Sequence, residues 1–441
     1  MRNKLLIIIL MFAVQLSTAQ DRANDLALSL KEAQDYALQN NKMIRASRLD
    51  VESARMSTWD AKSSGLPKVD ATASLMNNLK LATMLIPDFT GMSDEKIPVQ
   101  FGSQFNTSYG FQITQLIFSG SYFVGIQTAK LAESLSEQGL EKSELSIKES
   151  VITTYYLILI TEESIRVINE NIDNLNEILV STRSMYEVGM AEATDVDQMQ
   201  STLTMITNSR KSMERNLEVS YNLMRFQLGL DTDAGIVLTQ TLDDFVDEVN
   251  VAALSMQDFS IQNNIDYRLL SSQEELGELS VKMQKSTVLP TLSGFYQYNQ
   301  SGQADKLNQL DWYGSQVLGL QLNIPIFASG QRYSKIRKAQ IDLESLKTNK
   351  SLVADQLLMQ EKQYKYDLID ANEQFISKKD NVELASRIFK SVENKYKQGV
   401  ASSLDLTQAH NNYLQAVSDY TSSLMNLLQN KLALDKLLNN L

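Results

Sequence analysis

Two periodicities alternate along this chain. The first has a step of three and four: Ile165, Ile168, Ile172, Leu175 and Leu179, then Thr182 and Tyr186, close a stretch from Ser121 to Glu187 that contains no proline. That spacing predicts a coiled-coil seam on a helix of about 65 residues, on the order of 100 Å long at ~1.5 Å per residue. Val196, Met199, Leu203, Ile206, Met213 and Leu217 continue the seam after a glycine-centred break, with Arg210 interrupting it. A second such pair follows: Val382, Ala385, Phe389, Val392 and Tyr396, then Leu406, Ala409, Tyr413, Ala416, Leu427 and Leu434. The breaks read YEVGMAEATDVDQ from Tyr186 and YKQGVASSLDLTQ from Tyr396. Gly189 and Gly399 are placed to end one helix in the left-handed conformation, and Thr194, Asp195, Ser403 and Asp405 lie near the start of the next. Heptads alone fit a rod-like scaffold as well as anything else.

The second periodicity is two. Val69, Ala71, Ala73 and Leu75 alternate with Lys68, Asp70, Thr72 and Ser74; Phe105, Tyr109, Phe111, Ile113 and Ile117 alternate with Asn106, Ser108, Gln112 and Thr114. Leu292, Tyr296 and Tyr298 alternate with Thr291, Ser293, Gln297 and Asn299, broken by Phe295, and Leu318, Leu320, Leu322, Ile324 and Ile326 complete the set. Strands of ~10 residues with one apolar and one polar face suit a membrane β-barrel, and the sequence offers no second layer to cover so apolar a sheet. Four strands cannot close on themselves, and an open edge in lipid leaves backbone groups unsatisfied at several kcal/mol each. Several copies must share a barrel, and three would supply twelve strands.

The same order of elements occurs twice. Tyr186, Gly189, Asp195 and Gln198 match Tyr396, Gly399, Asp405 and Gln408 at an offset of 210, and ALQNNKMIR from Ala37 matches SIQNNIDYR from Ser260 at 223. The difference puts 13 or 14 additional residues in the first copy, within the Gly/Pro-containing stretch 79–102, which is expected to be a loop. The duplication divides the chain into a leader at 1–19, a first repeat at 20–230, a linker at 231–253 and a second repeat at 254–441. The first repeat holds a helix, a β-hairpin at 67–118 and a helical hairpin at 121–230. The second holds a helix, a β-hairpin at 290–327 and a helical hairpin at 330–440.

Composition narrows the function. Arg2 and Lys4, the apolar run from Leu5 to Leu16 and small residues at Ser17 and Ala19 are the features of a secretory signal cleaved after Ala19. No other run approaches the ~20 apolar residues of a transmembrane helix. There is no cysteine, and the net charge of −12 becomes −14 without Arg2 and Lys4, which disfavours nucleic acid as a partner. His410 is the only histidine, which excludes a histidine metal cluster or a Ser-His-Asp triad, and it is expected on a helix surface. Asp243/Asp244 and Glu274/Glu275 read as solvated faces. Neither catalytic residues, a cofactor site nor a metal site is indicated. Trp59 is expected in helix packing, and Trp312 beside Tyr313 in an interfacial aromatic belt or elsewhere.

The motifs LSLKEAQDYALQNN (28–41), LPKVDATASL (66–75), LIFSG (116–120), IPIFASG (324–330) and the two Tyr-x-x-Gly turns together resemble the TolC-type outer-membrane efflux and secretion channel family, over essentially the whole chain after the leader. The resemblance implies a mainly helical protein with membrane β-structure, a homotrimer sharing a 12-strand barrel in the outer membrane of a Gram-negative bacterium, and a helical tunnel in the periplasm. It implies an exit duct for a tripartite efflux or type I secretion system, partnered by a periplasmic adaptor and an inner-membrane transporter, without catalysis. The linker would belong to an equatorial region around the tunnel. Both turns would lie at periplasmic tips that pinch the tunnel shut: Asp195 would bond the Tyr396 hydroxyl, and Asp405, with Gln408 three residues on, would line the constriction. Gln408 replaces an acid of the family pattern, and Ala401 replaces a tip arginine found in some members. Helix capping is an equally physical role for Asp195 and Asp405. The other function class is a non-channel periplasmic coiled-coil scaffold or adaptor, which has no use for lipid-facing Leu318, Leu320, Leu322 and Ile324.

Overall fold

The computed structural model describes residues 26–87, 96–247 and 249–441, with Asp247 described in its backbone alone. The expected leader at 1–19, residues 88–95 of the expected loop, and Glu248 lie outside the described residues. The chain forms two compact units, one of residues 50–137 and 269–350, the other of the described residues up to Leu49 with 138–268 and 351–441. No helix among the described residues is long and apolar enough to cross a membrane.

The unit of residues 50–137 and 269–350 is built on an antiparallel sheet. Its strands are β2 (Lys68–Asn77), β5 (Phe105–Ser119), β7 (Thr291–Ala304) and β8 (Asp311–Asn323), hydrogen-bonded in that order. Two strands from each sequence repeat therefore join edge to edge through β5 and β7. The register carries the period-two pattern across all four strands. One face stacks Val69, Ile113, Tyr296 and Leu318 in a row, with Ala71, Phe111, Tyr298 and Gln316 in the next. The opposite face stacks Asp70, Gln112, Gln297 and Val317, then Thr72, Gly110, Asn299 and Ser315, then Ser74, Ser108, Ser301 and Tyr313, polar except at β8. Ser74 and Ser108 share a 2.8 Å hydroxyl contact. The apolar face is open: Leu318 is 83% and Leu320 73% exposed. Phe295 breaks the sequence pattern because it lies on the polar face, where Gly319 leaves it space; a Cβ there would sit 2.6 Å from its ring. At Leu116/Phe118 the register shifts by a bulge, the usual way to re-aim a strand at a sheet rim.

The stretch expected to be a loop holds two further strands, β3 (Ala82–Pro87) and β4 (Lys96–Phe101), paired with one another and separate from the four-stranded sheet. Its prolines and charges gave the appearance of irregular chain, yet Pro87 and Pro98 occupy a two-stranded ribbon in which edge positions are abundant. Trp59 is exposed rather than packed in a helical core. It lies on α2 (Lys42–Ser63), which follows α1 (Leu30–Asn40) after a break at Asn41.

In the other unit, that break explains part of the repeated NN motif. The Asn41 side-chain oxygen accepts from the Met43 amide at 2.7 Å while its amide donates to the Gln227 carbonyl. Asn264 repeats the first contact with the Asp266 amide at 3.0 Å, capping α7 (Ile265–Ser286). Four helices dominate: α3 (Gly120–Glu187), α4 (Ala193–Leu228), α8 (Gln331–Lys397) and α9 (Ser403–Leu438), the first and third contributing residues to both units. Tyr155, Ile158, Leu228, Leu368 and Leu428 are among the fully buried residues of the main core. The 231–253 segment is ordered by β6 (Ile236–Leu238), parallel to β1 (Leu26–Leu28), and by two single-turn helices, α5 (Leu242–Asp247) and α6 (Val251–Met256). Tyr155 fixes that segment, donating its hydroxyl to the Leu28 carbonyl and accepting from the Gln240 amide.

Candidate functional site at the helix turns

Both glycine-centred breaks adopt one geometry. At the first, Gly189 has φ +77°, its amide donates to the Tyr186 carbonyl at 3.0 Å, and the Met190 amide reaches the Met185 carbonyl at 2.8 Å. At the second, Gly399 has φ +73°, with bonds from Gly399 to Tyr396 and from Val400 to Lys395, both 2.9 Å. This is the paired 6→1 and 5→2 pattern that closes a helix through a left-handed residue. A Cβ at either glycine would touch nothing within 4 Å, so backbone conformation alone selects glycine there.

The following helices start with matching caps. Asp195 accepts from the Glu192 amide at 2.9 Å. Asp405 accepts from the Ser402 amide at 3.1 Å and its hydroxyl at 2.7 Å, while the Asp405 amide donates to Ser402 Oγ. These bonds, the Ser402 hydroxyl foremost, hold the Asp405 carboxyl below its ordinary pKa. Both aspartates are therefore caps.

Asp195 has a second partner. Its other oxygen accepts from the Ser403 hydroxyl, joining the start of α4 to the start of α9. The expected bond to Tyr396 is replaced: the Tyr396 hydroxyl lies 2.8 Å from Thr182 Oγ1, inside a core of Leu175, Ile178, Leu179, Met199, Phe389 and Leu406. Thr182 gives its own proton to the Ile178 carbonyl at 2.9 Å, which leaves Tyr396 as the donor. Burial raises the Tyr396 pKa, with Asp195 close enough to add to the effect. The two turns of one chain are thus tied by two polar contacts, Thr182–Tyr396 and Asp195–Ser403, in place of the single one expected.

Sequence reasoning placed Thr182 in the seam and Ser403 at a helix start but missed both as polar partners. A signal existed in the repeat: 210 residues from Thr182 stands Val392, and 210 before Ser403 stands Ala193. A hydroxyl in one copy facing a hydrocarbon in the other marks a contact made once. Tyr186 shows the same asymmetry, since it is 49% exposed whereas Tyr396 is 5% exposed. Asp405 and Gln408 are both exposed, one helical turn apart, and Gln408 donates to Asn412 at 2.9 Å. Val188, Met190, Val400 and Leu404 give the turns an exposed apolar surface.

His410 corrects another expectation. It is buried, 1% exposed, with its ring 5.0 Å from Phe389 and neither nitrogen hydrogen-bonded. Burial pushes its pKa down to about 4, against the opposing charge of Glu393. No group of three or more His, Cys, Asp or Glu side chains among the described residues could hold a metal ion.

The sequence and the fold both have known relatives. A family model described as outer membrane efflux protein matches residues 33–222 and 260–440. The probable efflux pump outer membrane protein TtgC of Pseudomonas putida is 21% identical over 406 residues, covering 88% of this chain and 78% of that protein. Among solved structures, the outer membrane protein VceC of Vibrio cholerae aligns with a TM-score of 0.73 at 14% identity, over 93% of this chain and 95% of that one. The CmeC outer membrane channel of Campylobacter jejuni aligns at 0.72 and 17% identity, over 93% and 85%. The two structural likenesses are likenesses of fold.

Proposed function

The chain belongs to the outer membrane efflux protein family and is a channel component of the bacterial outer membrane, and on that premise we propose that three copies close one barrel whose tunnel is gated at the two helix turns. The observation that carries this reading is the four-stranded sheet whose apolar face is open at Val69, Phe111, Leu318 and Leu320 and half-exposed at Ile113, Tyr296 and Tyr298, with two free edges, β2 and β8. The ten steps from Trp312 to Leu322 at ~3.4 Å each, tilted by ~40°, span about 25 Å, the height of an outer-membrane apolar band. In lipid neither edge can stay unpaired. β8 of one copy therefore meets β2 of the next, and three copies give twelve strands. The polar rows headed by Asp70, Thr72 and Ser74 then face a water-filled lumen.

The helices support the same assembly. Leu352, Met359 and Tyr366, at steps of seven along α8, and Val219, Leu223 and Phe226 on α4 are exposed apolar stripes. Such stripes fit lateral packing against neighbouring copies. A periplasmic scaffold would leave the sheet's apolar face without a function. Work in an efflux pump implies pump partners, and the exposed Val188, Met190, Val400 and Leu404 suit a periplasmic adaptor at the tips.

In the gate, Thr182–Tyr396 and Asp195–Ser403 lock the two hairpins of each protomer, and exposed Asp405 and Gln408 face the tunnel. Reconstitution into planar bilayers tests this reading. Discrete single-channel steps are expected, rising in frequency when the Asp195 carboxylate is removed by Asp195→Ala. A protein that inserts but conducts nothing overturns the duct, and an equal frequency of opening in wild type and variant overturns the lock.

A further inference from the structure

Charge is unevenly placed in this chain, and positive charge gathers where the four-stranded sheet gives way to helices. Thr291 pairs with Asn323, so the segment entering β7 (281–290) and the segment leaving β8 (324–338) lie at one end of the sheet. Together they carry Lys282, Lys285, Arg332, Lys335, Arg337 and Lys338 and no acid, in a chain of net charge −12. The matching segments of the first repeat, 59–68 and 119–130, carry three lysines against Asp60. All of the six but Arg332 are exposed, and none of the six forms an ion pair among the described residues.

Neither helix formation nor packing of the unit accounts for these cations. Arg332 and Lys335 stand at the start of α8, where the helix dipole disfavours positive charge. Farther from the sheet the same two helices neutralise one another: Lys347 and Lys350 pair with Glu274, and Lys347 reaches Glu278. Arg332 has a structural task, donating to the Pro325 carbonyl at 2.7 Å and so fixing the chain between β8 and α8. Lys335, Arg337 and Lys338 have none.

The side chains that precede these cations are those of a membrane boundary. Leu318, Leu320, Leu322 and Ile324 are exposed, Ile326 and Phe327 are 90% and 85% exposed, and Tyr333 follows at 77%. Where β5 enters α3, Phe118 and Phe123 repeat the pattern, both exposed with ring centroids 6.4 Å apart. The order along the chain is thus apolar strand face, exposed aromatic, then cation. Aromatic rings favour the boundary of a bilayer, and Lys and Arg just beyond it favour anionic headgroups. From Arg332 to Lys338 the helix rises about 9 Å, close to a headgroup layer of roughly 5–8 Å.

We propose that this collar of cations holds the headgroups of anionic glycerophospholipids, of the phosphatidylglycerol class, in the leaflet on the helical side of the membrane. Lys335 and Lys338 supply point charges, and the Arg337 guanidinium has the fork that takes a phosphate bidentately. Two features select a lipid as the occupant. A soluble anion has no use for exposed Ile326 and Phe327. A neighbouring copy would bring β2, which starts at Lys68 shortly after Lys62, and so would add positive charge rather than offset it. The inference rests on the barrel reading, because only a sheet in lipid sets its helical end among headgroups.

The full chain, reconstituted in phosphatidylcholine vesicles containing about one third phosphatidylglycerol and extracted in mild detergent, provides the test, with retained lipids counted by native mass spectrometry. Wild type should retain phosphatidylglycerol at several times its share. Lys335→Gln/Arg337→Gln/Lys338→Gln should lower that preference about ten-fold or more, whereas the charge-preserving Lys335→Arg/Arg337→Lys/Lys338→Arg should keep it. Lys362→Gln/Lys379→Gln/Lys390→Gln removes the same charge from exposed positions farther along α8 and should also keep it. No preference in wild type, or an equal loss in the two glutamine variants, overturns the collar. Unchanged lipid preference in the first variant also overturns it, and an accompanying shift in ion selectivity assigns the cations to the tunnel instead. A protein that inserts and conducts without lipid preference fails this inference alone. One that inserts into neither pure phosphatidylcholine nor the mixture fails the barrel reading and takes the collar with it.

Discussion

At the scale of single residues, the tip contact between Thr182 and Tyr396 has a direction that decides how mutants behave. Tyr396 donates and Thr182 passes its own proton to the Ile178 carbonyl. Tyr396→Phe removes one hydrogen bond of about 1 kcal/mol and strands no donor. Thr182→Val keeps the shape but strands the buried Tyr396 hydroxyl, at about 1–3 kcal/mol. If the contact holds the tip closed, channel opening should rise about five-fold in Tyr396→Phe and more in Thr182→Val, read as open probability in bilayers. The reverse order would mean that the threonine serves packing alone. His410 gives a pH dependence with a definite sign. Its folded pKa is about 4 against an ordinary 6.5, so the packing around Phe389 is fully stable above pH 6.5 and loses stability as the pH falls from 6.5 toward 4. At pH 5 the loss is about 2 kcal/mol. Hydrogen exchange of the α8–α9 turn at pH 7.5 and pH 5 should therefore show acid loosening in wild type that His410→Leu diminishes.

At the scale of elements, the turns depend on backbone conformation. Gly399→Ala places an L side chain at φ +73° in open space, which costs about 1–2 kcal/mol of local strain without a clash. Ser402→Ala removes the cap on Asp405 at about 1 kcal/mol. Both should fray the tip, seen as faster proteolysis near residue 399, while leaving the sheet unaltered. Which elements could be read from the sequence follows from physics. Strands with an open apolar face display their alternation openly, because no second layer edits it, and long seams repeat often enough to exceed local noise. β1 and β6 are three residues each and carry no readable period. β3 and β4 were concealed by Pro87, Pro98 and neighbouring charges. His410 was misplaced because a lone polar residue in a mixed seam signals surface, although Phe389 and the helix face enclose it. Asp195 was identified as a tip contact, but its partner needs a hydroxyl within reach, and Ser403 is nearer in the fold than any sequence spacing indicates.

At the scale of the whole molecule, the duplication makes the architecture economical and incomplete. Each repeat supplies two strands of the four-stranded sheet and one helical hairpin, and β5–β7 pairing joins the halves into a sheet that ends in two free edges. The apolar face formed by Val69, Phe111, Tyr296 and Leu318 has no cover within the described residues of its unit. On the proposed reading, lipid satisfies the face and other copies satisfy the edges, so the strand count sets the assembly. Placing a charge on that face is a further check. Leu320→Arg should impair membrane insertion by about 2–4 kcal/mol if the residue lies near mid-bilayer, whereas Ser301→Arg on the polar face should insert normally and alter ion selectivity.

The stoichiometry of the protein extracted from outer membranes in mild detergent, measured by native mass spectrometry, tests the central claim most directly. A shared barrel predicts a complex of three chains that persists until the detergent is made denaturing. A folded species carrying a single chain, with β2 and β8 unpaired, would contradict it.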